Sequence, residues 1–232
     1  MDQLLAELSA LAPYDAELTS HLAEPLGDGF TRREVLKLAA LLHDVAKPRC
    51  RQEVKGRIRF IGHDVIGAEM ARAIGQRLRL SGAASGVLER LVRQHLRPMH
   101  LGQLPEISRR ARYRFFRDLG SEARDLLLLT LADAAAVRGV SPISVWRASE
   151  GQLVAEFMRG WEEARRQAAL PPLVRGEDVM AAFGLAPGPP VGRLLALARE
   201  AQDLGQVRTR EEALDYLSRH AQESLDSGRA RL

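Results

Sequence analysis

The stretch Leu41-Leu42-His43-Asp44-Val45-Ala46-Lys47-Pro48 sets the reading of this chain. An apolar helix leads straight into an adjacent imidazole and carboxylate, then a lysine, then a proline that stops the helix. A carboxylate at the buried end of a core helix is costly unless it is paired or binds a metal. His63, His95 and Asp133 each fall in a separate helical segment. Any site that joins them to His43 and Asp44 is assembled by folding.

Immediately upstream, Thr31 and Glu34 have the spacing of a capping box. Val35, Leu36, Leu38, Ala39, Leu41 and Leu42 then recur at helical period, which predicts a core helix delivering His43-Asp44 with Lys47 one turn beyond on the same face. Pro25 and the glycines at 27 and 29 mark a turn. Residues 14–24 read as a short helix with His21 partly exposed, and Leu4, Leu5, Leu8 and Leu11 as a helical stripe over 2–12. Downstream, 49–62 alternates charged residues around Gly56 and reads as a surface loop or small hairpin. His63-Asp64 opens a helix over 64–79, kept thin by Ala68, Ala71 and Ala73. A helix over about 84–95 ends at His95, with Pro98 just beyond.

Ser108 caps an arginine-rich helix carrying Arg109, Arg110, Arg112, Arg114 and Arg117, interleaved with Tyr113, Phe115 and Phe116. Ser121 caps the next helix, apolar nearly all round until Asp133, and therefore buried. Gly139 and Pro142 end it, and a soft boundary falls at about 140–145. Beyond lie a long amphipathic helix from Ser144 to about 168 and three shorter ones over 176–183, 190–204 and 210–225. Pro190 suits a first helical position, and Thr209 with Glu212 forms another capping box. No convincing strand pair, tandem repeat or low-complexity tract stands out. The expected fold is all-α, with a helical bundle over 1–142 and a smaller helical region over 143–232.

The 232 residues suffice for one large domain or two small ones, and 46% are hydrophobic, enough for a globular core. Net charge is +4, carried almost wholly by arginine, with lysine only at 37, 47 and 55. This balance is compatible with an anionic partner, and codon bias explains it equally well. The single cysteine, Cys50, excludes an intrachain disulfide and fits a reducing compartment. With no signal-like start and no apolar run of membrane-spanning length, the expected location is the cytoplasm, with no membrane contact.

Neutral imidazoles with carboxylates suit Mn²⁺, Fe²⁺, Co²⁺, Ni²⁺ or Zn²⁺, whereas Mg²⁺ prefers oxygen alone. Such an ion lowers the pKa of bound water and polarises a phosphoryl oxygen. An ammonium at Lys47 suits a phosphate. Hydrolysis of a phosphate ester is the natural chemistry of the set. The bland reading of any one of these histidines is a hydrogen-bonded core residue.

The His43-Asp44 pair with a later His and Asp resembles the HD superfamily of metal-dependent phosphohydrolases. Further stretches sharpen the likeness: 41–48, Phe60-Ile61-Gly62-His63 with Gly67-Ala68, 92–98, 108–119 and Leu131-Ala132-Asp133. These look like the HD region of bacterial tRNA CCA-adding nucleotidyltransferases and poly(A) polymerases. Residues 172–184, Pro187-Gly188-Pro189-Pro190-Val191-Gly192 and Thr209-Arg210-Glu211-Glu212-Ala213-Leu214 are similar to the body and tail helices of the same enzymes. The resemblance covers roughly 30–220.

It implies that His43, Asp44 and Asp133 hold a divalent metal (Mn, Ni, Co, Fe or Mg), and that His63 and His95 serve a second metal or the phosphate. Asp44 and Lys47 would take part in catalysis. Lys47, Arg109, Arg110, Arg112, Arg114 and Arg193 would contact nucleotide or RNA, including tRNA. Two departures stand out. The polymerase head, with its Gly-Ser loop and Asp-x-Asp pair, has no counterpart here, so nucleotide addition by this chain alone is not expected. The upstream His that usually completes the first metal's ligands has no clear equivalent, since His21 lies closer to His43 than expected. Two readings remain: an HD-type phosphohydrolase acting on nucleotide or RNA-end phosphates, and a non-catalytic tRNA-binding module or partner of a separate nucleotidyltransferase subunit.

Overall fold

A computed structural model describes residues 1–226. The fold is all-α, with two small antiparallel hairpins among the described residues. The chain divides into two compact units, one of Met1–Ile107 with Phe115–Arg159 and one of Ser108–Arg114 with the chain from Gly160 onward. No helix among the described residues is long and apolar enough to cross a membrane.

The first unit begins with α1 (Asp2–Ala6), a 3-10 turn at Leu8–Leu11 and α2 (Asp15–Leu22). Leu4, Leu5, Leu8 and Leu11 are all buried, but on two short elements rather than one helix. A minimal hairpin, β1 (Pro25–Gly27) with β2 (Phe30–Thr31), then feeds α3 (Arg32–Leu42). The capping box forms, with the Thr31 N–H donating to Glu34 Oε2 at 2.8 Å. Helix α3 ends at Leu42, and His43 is its C-cap. Residues 43–50 continue as tight turns closed by Lys47 N–H to Asp44 C=O and Cys50 N–H to Ala46 C=O, both 3.0 Å. Lys47 therefore lies on a turn and not on a continued helix.

The loop after this turn is a true hairpin, β3 (Arg51–Val54) with β4 (Arg57–Phe60). Its two-residue turn, Lys55-Gly56, has positive φ at both positions (52° and 70°), the condition for a ribbon turn of the right twist. Helices α4 (His63–Arg77) and α5 (Gly82–Gln94) pack against each other. Gly67, Ala68, Ala71 and Gly75 form the buried face of α4, while Ala73 is exposed. A Cβ on Gly67 would sit 3.3 Å from Val92 Cγ1 and 3.7 Å from the His43 carbonyl, so α4 lies close against the Val92 side chain of α5 and the backbone of the His43 turn.

Helix α6 (Arg97–Gly102) and α7 (Arg109–Leu119) precede α8 (Glu122–Arg138), the most buried helix, with Leu126, Leu127, Leu128 and Leu131 fully enclosed. The Ser121 hydroxyl makes no cap bond and instead accepts from Arg32 at 2.8 Å. Gly139, in the left-handed region at φ 64°, ends α8, and Pro142 starts the short α9 (Pro142–Trp146) rather than merely stopping its predecessor. Helix α10 runs Ser149–Ala168. In the second unit α11 (Gly176–Phe183), α12 (Pro189–Asp203) and α13 (Arg210–Asp226) enclose a separate small core that includes Val179, Leu194, Ala198 and Leu217.

Candidate metal centre

Four elements of the first unit bring the titratable residues together: the C-cap of α3 and its following turn (His43, Asp44), the first residue of α4 (His63), the C-cap of α5 (His95) and the middle of α8 (Asp133). Gly62, at φ 78°, lets the chain leave the hairpin and enter α4 with His63 already facing the centre.

The three imidazoles are oriented in one way. His43 Nδ1 lies 2.9 Å from the Ala40 carbonyl, His63 Nδ1 2.7 Å from that of Phe60, and His95 Nδ1 2.6 Å from that of Val92. A carbonyl only accepts, so each Nδ1 carries the hydrogen and each Nε2 presents a lone pair inward. Fixing the ligand tautomer through the remote ring nitrogen is the usual support of a metal-binding histidine.

The Nε2 atoms meet the Asp44 carboxylate. Asp44 Oδ1 lies 3.3 Å from His63 Nε2 and 3.7 Å from His95 Nε2, while Oδ2 lies 3.3 Å from His43 Nε2. Asp133 Oδ1 approaches His43 Nε2 at 3.4 Å. His63 Nε2 and His95 Nε2 are 3.2 Å apart; with both rings neutral and protonated on Nδ1, two lone pairs face each other there, an arrangement that a shared metal ion or a proton on one ring would relieve. His43 Nε2 is buried and makes no well-directed hydrogen bond to either neighbouring carboxylate. Among the described residues, Asp44, His63 and His95 bring three donor atoms within 4.8 Å of one another. Clashing lone pairs, an orphaned buried nitrogen and a shared carboxylate together fit a divalent cation.

Lys47 Nζ is 2.6 Å from Asp44 Oδ2 and 5.7 Å from the centre of the Phe60 ring. Burial works against the His43 imidazolium, but the approach of Asp133, the Ala40 carbonyl and the charge of Asp44 together raise its pKa. The approach of His43, 3.4 Å away, holds the Asp133 carboxyl below its usual range despite partial burial. Burial, followed by the charges of His43 and His63, holds His95 below the ordinary imidazole value.

His21 stands elsewhere. It is buried and not partly exposed, with Nε2 3.0 Å from Asp125 Oδ1, two turns upstream of Asp133 on α8. Asp125 Oδ2 also accepts from Arg32 at 2.8 Å, and Arg32 Nε donates to Glu24 Oε2 at 2.7 Å. This second imidazole–carboxylate cluster has no local sequence signal, because its partners are far apart in the chain. Leu41, read as core, is 76% exposed.

The arginines expected to contact RNA, at 109, 110, 112, 114 and 193, all belong to the second unit. Arg109 is exposed. Arg110 and Arg114 both reach the buried carboxylate of Glu200, Arg114 at 3.3 Å. Arg112 and Arg193 are half-buried, and Arg193 Nε is buried without a hydrogen-bond partner.

Comparison with known proteins agrees with this geometry. Residues 16–136 match the HD domain family. The A-adding tRNA nucleotidyltransferase of Deinococcus radiodurans is 39% identical over 217 residues, which cover 91% of this chain and 48% of that protein. The CC-adding tRNA nucleotidyltransferase of Thermus thermophilus is 42% identical over 186 residues, covering 78% of this chain and 39% of that protein. A bifunctional uridylyltransferase/uridylyl-removing enzyme of Bradyrhizobium diazoefficiens is 32% identical over 122 residues, 53% of this chain and 12% of that protein. The chain thus spans less than half the length of these curated relatives. The family match covers more than half of the chain and takes in the four elements that converge on Asp44: this protein belongs to the HD domain family.

Proposed function

We propose that this chain is a metal-dependent phosphohydrolase acting on nucleotide or RNA-end phosphates, of the 2′,3′-cyclic, 2′-phosphate or phosphomonoester class. The observation that carries this reading is the inward convergence of His43, His63 and His95 Nε2 on one carboxylate, each with its Nδ1 satisfied by a main-chain carbonyl. Asp44, His63 and His95 form one ligand set, and His43, Asp44 and Asp133 a second. A divalent ion (Mn, Ni, Co, Fe or Mg) held there would supply Lewis acidity at a phosphoryl oxygen and lower the pKa of a nearby water.

The chain's own groups do the rest. Asp44 links the two sets, so its loss disables both. Lys47 donates to Asp44 through its ammonium, the group that would take phosphate oxygens when substrate arrives. Each imidazole is fixed by a backbone bond, so the donor atoms are placed before substrate arrives.

The names of the nucleotidyltransferase relatives favour a second reading, in which the chain binds tRNA or complements a separate nucleotidyltransferase subunit. Arg109, Arg110, Arg112, Arg114 and Arg193 are its candidate RNA contacts. The deciding assay offers purified protein a 2′,3′-cyclic nucleotide and a phosphomonoester with Mn²⁺, Ni²⁺, Co²⁺ or Mg²⁺, beside His43→Ala and Asp44→Ala. We expect turnover that requires a divalent ion and disappears in both variants. No turnover with any ion, in folded protein that binds tRNA, overturns the phosphohydrolase in favour of the second reading.

A further inference from the structure

The two ligand sets that meet at Asp44 are not equivalent. On the His63–His95 side the donors are compact: both nitrogens lie 3.3–3.7 Å from Asp44 Oδ1 and 3.2 Å from each other. With both Nδ1 hydrogens committed to carbonyls, a metal ion between the two neutral rings relieves that contact, as would a proton on one of them. The imidazoles are nearly enclosed there, with the His63 side chain 8% and that of His95 5% exposed.

On the other side, the Asp44 oxygen that faces His43 is already engaged by a cation. Lys47 Nζ sits 2.6 Å from Oδ2, closer than His43 Nε2 at 3.3 Å. The ammonium is steadied by the Phe60 ring below it. Asp133, the remaining ligand of this set, is 45% exposed. An ion entering here must displace a fixed positive charge from its shared ligand, whereas an ion entering the first set relieves a repulsion.

We propose that the centre loads in order: a first divalent ion binds Asp44, His63 and His95, and a second binds His43, Asp44 and Asp133 only as Lys47 withdraws from Asp44. Lys47 is thus a gate on the second ion. It is a positioning residue for the metals, in addition to any contact with phosphate. An arriving phosphate oxygen competes with Asp44 for the same ammonium, so substrate would open the gate that its hydrolysis requires. The inference rests on the metal-centre reading above and not on turnover.

The test is a Mn²⁺ titration of the whole chain at fixed neutral pH, reading free Mn²⁺ by its electron paramagnetic resonance signal, with folding of each variant checked by circular dichroism. The wild type should bind in two steps. His63→Gln and His95→Gln should lose the tight step. His43→Gln and Asp133→Asn should keep it and lose the weak one. Lys47→Met should tighten the weak step by roughly tenfold or more, since a charge-assisted hydrogen bond no longer has to be broken, and leave the tight step unchanged. Loss of the tight step in folded His43→Gln, or an unmoved weak step in Lys47→Met, overturns the proposal. A folded wild type that binds no Mn²⁺ overturns this proposal and the metal centre together. Ordered binding without hydrolysis leaves the gate standing and overturns only the phosphohydrolase.

Discussion

Helix α8 carries two aspartates that each meet a histidine from an earlier element, and the two meetings have opposite outcomes. Asp125, with its side chain 1% exposed, accepts from His21 and from Arg32, so the cation that balances it is covalently part of the chain. Asp133, 45% exposed, faces His43 off the hydrogen-bonding direction, beside two more inward-facing imidazoles. In the first cluster the carboxylate is enclosed and bonded on both oxygens, and the remaining ring nitrogen, His21 Nδ1, lies 3.6 Å from Glu24 Oε1. The second has more lone pairs than protons to share and is open to solvent. An imidazole–carboxylate pair becomes structural when an arginine is built in beside it, and a ligand set when its neighbours are further lone-pair donors.

The contrast is tested most severely by stability. Removing one partner of a buried charge pair leaves the other uncompensated, so Arg32→Ala should cost about 3–5 kcal/mol in urea unfolding. Asp133→Ala should cost less than about 1 kcal/mol, as for other exposed pairs. Equal losses would erase the distinction between the clusters.

Metal addition sharpens it from the other side. At a hundredfold excess over its dissociation constant, an ion bound only to the folded state adds about 2.7 kcal/mol, readable as a rise in Tm. The rise should vanish in His63→Gln and persist in His21→Gln, even if the latter starts from a lower Tm.

Smaller again is Gly67→Ala, whose methyl would press on Val92 and the His43 carbonyl. Overpacking of that kind costs about 1–3 kcal/mol. Because the strain falls on the His43 turn, Mn²⁺ affinity should weaken as well, an effect that an equally destabilising change at Leu18 should not produce.

The last effect is a difference in titration. Without metal, ring-proton resonances should show His95 titrating below pH 6.5 and His43 above it. The linkage signs are opposite. The raised His43 contributes stability that is complete below 6.5 and fades as pH rises through its folded value. The depressed His95 contributes stability above 6.5 that fades as pH falls through its folded value. Asp133, also depressed, loses its contribution only in acid. Reversal of the two histidines would overturn the assignment of Asp133 as the partner of His43.

Local chemistry makes much of this legible in the sequence. The capping box at Thr31, the apolar period of α3 and the His43-Asp44 pair are short-range signals, and the helices bearing His63, His95 and Asp133 follow from periodicity. What escapes is long-range or terminal. The Asp125–His21–Arg32 cluster joins residues about a hundred positions apart, and no period encodes that. Glu200 as the partner of Arg110 and Arg114 is hidden for the same reason. Leu41 repeats like a core residue but falls where the helix meets solvent. The end of α3 at Leu42 is masked by Ala46, which stays buried in the following turns. The β1–β2 ribbon is too short to leave a pattern.

The β3–β4 ribbon has a consequence for how this centre could be engineered. Its ladder closes at Arg51, which follows the turn that holds Asp44, and at Phe60, whose carbonyl orients His63. Every strand residue beyond that rung is exposed. The distance between the ligands is thus set at the base of the ribbon and is indifferent to its tip. Doubling a loop's length costs only about 0.6 kcal/mol in closure entropy. The Lys55-Gly56 turn is accordingly a splice point, where a reporter peptide or a small folded insert can be carried close to the chemistry without moving a ligand.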